Sequence, residues 1–311
     1  MELYDCIIIG GGPAGLNAAV VLGRCRRKVV VFDTQKYRNR YSHGMHNYLT
    51  RDDILPTDFI GISHRELEKY NVQKLNHKII NARKNKDNVF EVRDDKQNIY
   101  HSKKLLVATG LIDTLPDIEG FREFYGHSVF HCPYCDGWEV RDKKLGVYAR
   151  DKDGTELAMA LKGWTDDVTL FTDGKKLKPE QEELMFANDI TINRLGILKL
   201  EGNDKKLEKI IFKNSDDTLC DALFFVNGYT QHCNLAEAFG CKISKKGVVI
   251  TNRLQQTDID GLYVAGDASR DMHFVVVAAA EGAKAGVTIN KELLKESIGI
   301  NLRKSRSGVE S

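Results

Sequence analysis

Long apolar runs, a strong net charge and a regular cysteine spacing are all missing from this 311-residue sequence. The longest apolar stretch, over 274–280, is cut short by Glu281 and Lys284, whereas a membrane-spanning helix needs about 20 apolar residues. Lysine and arginine number 46 against 44 acids, a formal charge of +2, so no global field favours nucleic acid or a membrane surface. The only local exception is the basic run 301–306, expected to be a solvated tail. No targeting pattern precedes the fold, because 5–10 already reads as a buried strand; the chain is expected to start at its own Met1 and to work in the cytosol. Seven scattered cysteines exclude a secreted disulfide framework. In a reducing compartment a close pair is catalytic or metal-binding before it is structural. Low-complexity stretches and repeats of solenoid period are absent as well.

What is present is a nucleotide-binding opening. An apolar strand over 5–10, a glycine turn, a helix over 16–22 and a strand over 29–32 make a βαβ unit. Two later segments, 105–110 and 262–268, repeat the form of a buried strand ending in small residues. Between them lies a second such rhythm: strand 144–149, helix 155–161, strand 168–171, helix 179–187, then short strands to Val226. The expected fold is therefore α/β, with two Rossmann-like dinucleotide-binding domains, the second inserted into the first. The first domain takes 1–115 and 246–311 and the insertion 116–245, with crossings at Leu115-Pro116 and at Lys245-Lys246-Gly247.

Gly10-Gly11-Gly12-Pro13-Ala14-Gly15 matches G-x-G-x-x-G directly after a strand and before a helix. Gly10 allows the tight turn, Gly12 lets backbone approach a pyrophosphate, and Gly15 lets helix and strand pack closely. Asp33, about 20 residues on at the end of the next strand, is the expected acceptor for ribose hydroxyls.

The most informative stretch is His131-Cys132-Pro133-Tyr134-Cys135-Asp136-Gly137. Two cysteines at this spacing can close a small disulfide ring, one attacking while its partner resolves. A zinc site needs two more ligands, and neither a second C-x-x-C nor a suitable histidine set supplies them, so no metal is expected. Cys6, Cys25, Cys220, Cys233 and Cys241 read as small hydrophobes or bystanders.

Together, the N-terminal GGGPAG, the internal Ala108-Thr109-Gly110, the late Ala265-Gly266-Asp267-Ala268 and the C-P-Y-C-D-G resemble the low-molecular-weight thioredoxin reductases over nearly the whole chain. The resemblance implies FAD, held by Gly10, Gly12, Pro13, Ala14, Gly15, Asp33, Asn47, Ala108, Thr109, Gly110, Gly266 and Asp267. It implies that a helix near Phe274 aims its N-terminus at the flavin. Cys135 is then the flavin-proximal sulfur, Cys132 the sulfur that meets the substrate, and Asp136 the acid/base. A homodimer is implied too.

Three departures mark the sequence off. The second domain's expected G-x-G-x-x-A reads instead Gly146-Val147-Tyr148-Ala149-Arg150-Asp151-Lys152-Asp153-Gly154, where Asp151 and Asp153 would repel a pyrophosphate. The 2′-phosphate cluster is replaced by Phe171-Thr172-Asp173-Gly174-Lys175-Lys176, which reads best as a solvated turn. His273-Phe274 stands where the family has Arg-Gln, and His43 and His46 lie in the loop expected to pass the flavin, with no role fixed for any of the three. This pattern resembles divergent thioredoxin-reductase-like flavoproteins with a degenerate NADPH site. Ferredoxin, flavodoxin or oxygen are then electron partners besides NADPH, and a thioredoxin-like protein or a small dithiol or disulfide is the substrate. The alternatives are an oxygen-dependent dithiol oxidase and a non-catalytic flavin redox sensor. An exposed apolar groove beside Tyr134 and Trp138 favours the protein substrate and a closed pocket the small one.

Overall fold

The computed structural model describes residues 2–150, 152–213 and 215–307, with side chains left out for 152 and for 300–307. The basic run 301–306 continues a helix, and its side chains, where a solvated tail was expected, lie outside the described residues. Among the described residues no helix is long and apolar enough to cross a membrane.

Two compact units result: Met1–Arg38, Thr57–Ile112 and Thr230–Ser311 form the first, and Asn39–Pro56 with Asp113–Tyr229 the second. The second crossing thus falls at Thr230, not near the expected 245–247. The reason is packing: Leu235, Ala236, Cys241 and Val249 share a core with Ile7, Phe90 and Val107 of the first sheet. The 39–56 segment, expected in the first domain, groups with the second unit. Gly126, at φ +81°, comes so close to Tyr41 that a Cβ there would lie 2.7 Å from the Tyr41 Cβ.

In the first unit the strands run in the order Val72–Leu75, Val29–Phe32, Leu3–Ile9, Ile99–Val107, Phe90–Asp94, Ile79–Lys84, with Leu262–Val264 also pairing with Ile99–Val107. The first four and Leu262–Val264 pair in parallel; the two last strands form an antiparallel meander that the sequence pattern does not separate. The Val29–Phe32 strand is buried throughout, as a parallel strand covered on both faces must be. Small residues set the helix packing. The Pro13–Arg24 helix buries Ala14, Gly15, Ala18 and Ala19, and the Val275–Ser307 helix meets it at Gly282 and Gly286. A Cβ on Gly282 would stand 1.9 Å from the Ala14 carbonyl oxygen. Overpacking of this kind costs about 1–3 kcal/mol.

The second unit is built on a wholly parallel sheet in the order Thr191–Asn193, Val168–Phe171, Leu145–Tyr148, Ala222–Phe225, Val129–Phe130. The Lys152–Leu161 and Pro179–Ala187 helices contribute Leu157, Leu161 and Met185 to a core with Val147 and Phe224. Phe121, Tyr148, Phe171 and Phe225 form a separate core with Ile210 of the Lys206–Phe212 strand. That strand belongs to an antiparallel ladder with Ile197–Asn203 and Thr218–Leu219.

Candidate active site

Strand register gathers the first cluster. Ile9 pairs with Phe32 and with Val107, and Val107 pairs with Val264, so four parallel strands end in line. Gly10 to Gly15, Asp33, Ala108 to Gly110, and Gly266-Asp267 therefore leave the same sheet edge, the usual ligand edge of an open α/β sheet. Gly10, at φ +108°, lies so near the next strand end that a Cβ would sit 2.2 Å from the Ala108 oxygen. A Cβ on Gly15 would be 1.9 Å from the Gly10 oxygen, whereas one on Gly12 meets nothing within 4 Å. Gly12 is the N-cap of the Pro13–Arg24 helix, with no side-chain cap and no acid in the first turn. Gly11, a position the motif leaves free, backs directly onto Asp33: a Cβ there would lie 2.5 Å from Asp33 Oδ2.

Asp33 is nearly buried; it accepts the Gln35 N–H at Oδ1 (3.0 Å) and the Tyr37 hydroxyl at Oδ2. Burial, the hydrogen bond and the Asp33 charge push the Tyr37 phenol upward, keeping it a donor. Arg38 donates to Asp267 Oδ2 at 3.1 Å. Glu281 accepts the Gly266 N–H at 2.9 Å and the Arg270 Nε–H, bracing the turn from behind. Tyr37, Arg38, Arg270 and Glu281 are absent from the sequence-based expectations, since no local motif announces them. His273, at the foot of the last helix, has Nε2 2.9 Å from the Arg270 carbonyl oxygen.

The second cluster follows the Val129–Phe130 strand. Cys132 caps a four-residue helix, Pro133–Asp136, with Pro133 in its first turn, and is disulfide-bonded to Cys135 at a Cα separation of 5.3 Å. The Cys132 carbonyl accepts the N–H groups of Cys135 and Asp136, closing the ring tightly. Gly137 is required here because a Cβ would stand 2.5 Å from the Pro133 oxygen and 2.9 Å from the Trp164 ring. Burial of the Asp136 carboxyl, with a smaller push from the Glu139 charge, raises its pKa to about 7. Tyr134 and Trp138 flank the pair with 64% and 65% of their surface exposed. Tyr134 meets Trp164 edge-on, and the Arg141 guanidinium lies 4.0 Å from the Trp138 ring centroid.

Asn47, expected at the flavin, sits within the second unit and donates from Nδ2 to the Tyr134 carbonyl at 2.8 Å. His46 has Nδ1 3.7 Å from Asp52 and Nε2 3.6 Å from Glu139. His43 Nε2 lies 2.6 Å from His127 Nδ1, and burial together with the charges of His43 and Lys205 lowers the His127 pKa. Among the described residues no cluster of three or more ligating side chains could hold a metal ion.

The expected nucleotide turn of the second unit carries an ion pair within the protein. Arg150 binds Asp173 through Nε (3.1 Å) and a terminal nitrogen. Asp173 also accepts the Ile197 N–H at 3.0 Å and the Tyr148 hydroxyl at 3.4 Å. Burial is the largest influence and works against the Asp173 charge, but the hydrogen bonds from Arg150, Ile197 and Tyr148 and the Arg150 charge together outweigh it, and the pKa falls below the usual value. Gly146 and Gly154 serve packing: a Cβ on Gly154 would meet the Ala149 Cβ at 2.3 Å, and one on Gly146 the Leu223 and Phe171 side chains at 2.8 Å. Lys175 and Lys176 are exposed. Asp151, read as repelling a pyrophosphate, lies outside the described residues.

A family model described as pyridine nucleotide-disulphide oxidoreductase matches residues 4–282. A solved structure of a putative thioredoxin reductase, TrxB, from Bacillus anthracis is 31% identical with a TM-score of 0.90, covering 94% of this chain and 99% of that one. The structure of HlmI is 30% identical with a TM-score of 0.95, covering 98% of this chain and 97% of that one. The thioredoxin reductase tcpT of Claviceps purpurea is 29% identical, over 96% of this chain and 97% of its own length.

Proposed function

Because the chain belongs to the pyridine nucleotide-disulphide oxidoreductase family, and is thereby an FAD-binding flavoprotein disulfide oxidoreductase, we propose that Cys132 and Cys135 are its redox pair and that NADPH is not its efficient direct donor. The observation that carries this reading is the Cys132–Cys135 disulfide itself, next in the chain to the half-buried Asp136, where desolvation pushes the carboxyl pKa upward.

The residues of the first unit fit FAD. Gly12 leaves open space over an uncapped helix start, where backbone N–H groups and helix dipole favour a pyrophosphate. In this reading Gly10, Gly12, Pro13, Ala14 and Gly15 hold that group, Asp33 takes ribose hydroxyls, and Ala108, Thr109, Gly110, Gly266 and Asp267 complete the cradle. FAD supplies a two-electron store that a dithiol can fill and a disulfide can empty. Asn47 acts on the disulfide loop in this structure, and a contact to flavin remains its proposed second duty.

In the oxidising direction a substrate thiolate attacks Sγ of Cys132, and the bond to Cys135 breaks with its electron pair left on Cys135. The substrate's second sulfur, once deprotonated, displaces Cys132. One substrate disulfide is made, the protein pair gains two electrons, and Asp136 handles the proton at the sulfurs. The reducing direction is the reverse. The exposed Tyr134 and Trp138 support a thioredoxin-like protein substrate over a small dithiol.

A second reading rests on Arg150. Its guanidinium pairs with Asp173, in the turn that stands where a 2′-phosphate cluster was expected, so ferredoxin, flavodoxin or oxygen are favoured over NADPH, and with oxygen the protein is a dithiol oxidase. A cytosolic homodimer completes the proposal. Anaerobic titration of the yellow protein with NADPH and then with a dithiol tests it: the flavin is expected to bleach with the dithiol only. Rapid bleaching by stoichiometric NADPH would overturn the donor assignment. Cys132→Ser is expected to abolish exchange with flavin retained, and full activity in that variant would overturn the assignment of Cys132 and Cys135 as the redox pair.

A further inference from the structure

We propose that the 45–54 hairpin is a docking element for the substrate, with Leu49 as its anchor, and that the substrate it fits is a protein whose reacting sulfurs sit in an apolar surface. This rests on the reading of Cys132 and Cys135 as the reacting pair.

The hairpin is closed at its stem and turned at its tip. Met45 and Ile54 form an antiparallel bridge: the Met45 N–H donates to the Ile54 carbonyl at 2.9 Å and the Asp53 N–H to the Met45 carbonyl at 3.0 Å, with Met45 buried. At the other end the Tyr48 carbonyl accepts the Arg51 N–H at 2.8 Å, which puts Leu49 and Thr50 at the corner of a tight turn. Thr50 takes φ +74°, a region disfavoured in a β-branched residue, so the turn is held by its surroundings and not by its own preference. Asn47 supplies much of that hold. Its N–H donates to Asp52 Oδ1 at 3.0 Å and its Nδ2 to the carbonyl of Tyr134, between the two cysteines, at 2.8 Å. His46 Nε2 adds a second approach to the disulfide region, 3.6 Å from Glu139, the residue after Trp138. Leu49 follows Asn47 by two residues, a span of about 7 Å at most, so its backbone stays beside the disulfide loop.

This held corner presents a leucine to solvent. Leu49 is 89% exposed, more than any other large hydrophobic side chain among the described residues, and it joins the exposed Tyr134 and Trp138. Single exposed apolar residues are ordinary, whereas large ones grouped at a reacting centre mark a contact surface. A substrate sulfur has to reach the Cys132–Cys135 bond, so whatever reacts there meets this group. A small dithiol is gripped by a concave pocket. Projecting leucine, tyrosine and tryptophan side chains suit instead the core of a protein–protein contact, where aromatic residues are enriched. The two rings are already set, Tyr134 against Trp164 with 5.7 Å between ring centroids and Trp138 beneath the Arg141 guanidinium, so docking costs little side-chain freedom. Around them Arg51, Asp52 and Glu139 are exposed and of mixed sign, a polar rim without a net field. Recognition is therefore apolar and only weakly sensitive to salt.

The test is anaerobic rapid mixing of the oxidised, FAD-loaded protein with reduced thioredoxin, and separately with dithiothreitol, following flavin bleaching against probe concentration. Leu49→Ser is expected to raise the half-saturating thioredoxin concentration roughly ten-fold or more with the limiting rate kept, Leu49→Met to restore most of it, and the dithiothreitol kinetics to change by less than about two-fold. The Leu49 side chain meets solvent, so the variants are expected to fold. Added salt is expected to leave the ratio between wild type and Leu49→Ser unchanged. An equal shift for both probes, no shift for either, or a wild type bleached by dithiothreitol but not by thioredoxin overturns the proposal. So does a change of oligomeric state in Leu49→Ser, read by light scattering, which would give this surface to a second copy of the chain. Cys132→Ser run alongside separates the failures: if it is still bleached the reading of the reacting pair is at fault, and if it is not bleached while Leu49→Ser matches wild type, only the docking role falls.

Discussion

The two units repeat strand, turn, helix and strand, yet their sheet edges are finished in opposite ways. In the first, Gly12 opens a space at an uncapped helix start and Asp33 is held by Tyr37. In the second, Arg150 at the corresponding turn is bound to Asp173. Along that edge the Val129–Phe130 strand, which pairs through Phe130 with Phe224, leads instead to the disulfide. A shared topology supplies an edge; the few side chains at the strand ends decide whether it takes a nucleotide or does thiol chemistry.

The sharpest way to break the comparison is to make the first edge resemble the second. Gly12→Asp meets no clash, and an acid at a helix start favours the helix, so the fold is expected to survive. Two negative charges about 4 Å apart at an intermediate dielectric repel by about 4 kcal/mol, so flavin affinity is expected to fall on the order of a hundred- to a thousand-fold, read as the ratio of flavin to protein absorbance. Retained yellow colour would remove the pyrophosphate from this loop.

A smaller effect sharpens the second edge. With its pKa raised to about 7, Asp136 stabilises the folded chain fully below its unfolded value of about 3.9, and that contribution is lost as pH rises through 7. Asp136→Asn carries no such loss, so its melting temperature relative to wild type is expected to climb between about pH 4 and pH 7 and to level off above that. A difference independent of pH would mean that the carboxyl is not held protonated by the fold. Least of all is expected from Arg150→Ala. The arginine side chain is 52% exposed, so the pair contributes about 0–1 kcal/mol in a urea melt. NADPH bleaching is not expected to appear, because the packed Gly154 helix start is unchanged; its appearance would make Arg150 the sole barrier.

Much of this was legible because it is local. A glycine turn between a buried strand and a helix, and two cysteines three residues apart, carry their geometry in a few consecutive residues. What could not be read depends on distant partners. Asn47 meets Tyr134 across 87 positions, and Arg38 meets Asp267 across 229. The return to the first unit at Thr230 was hidden for a related reason: Leu235 and Cys241 look like any buried residues until the sheet they cover is assembled. The antiparallel strands were missed because segments such as Ile79–Lys84, with mostly exposed or half-buried positions, carry little hydrophobic signal.

Gly11 has a bearing on how such proteins tolerate change. A motif search admits any residue at this second position, yet here the Asp33 carboxylate lies against it with no room for a methyl group. Substitution at Gly11 is therefore penalised through Asp33, a residue 22 positions further along the chain, and the two can drift only together. The permissive letter of the fingerprint marks what the cofactor allows, while the strictness of this position comes from the neighbouring strand.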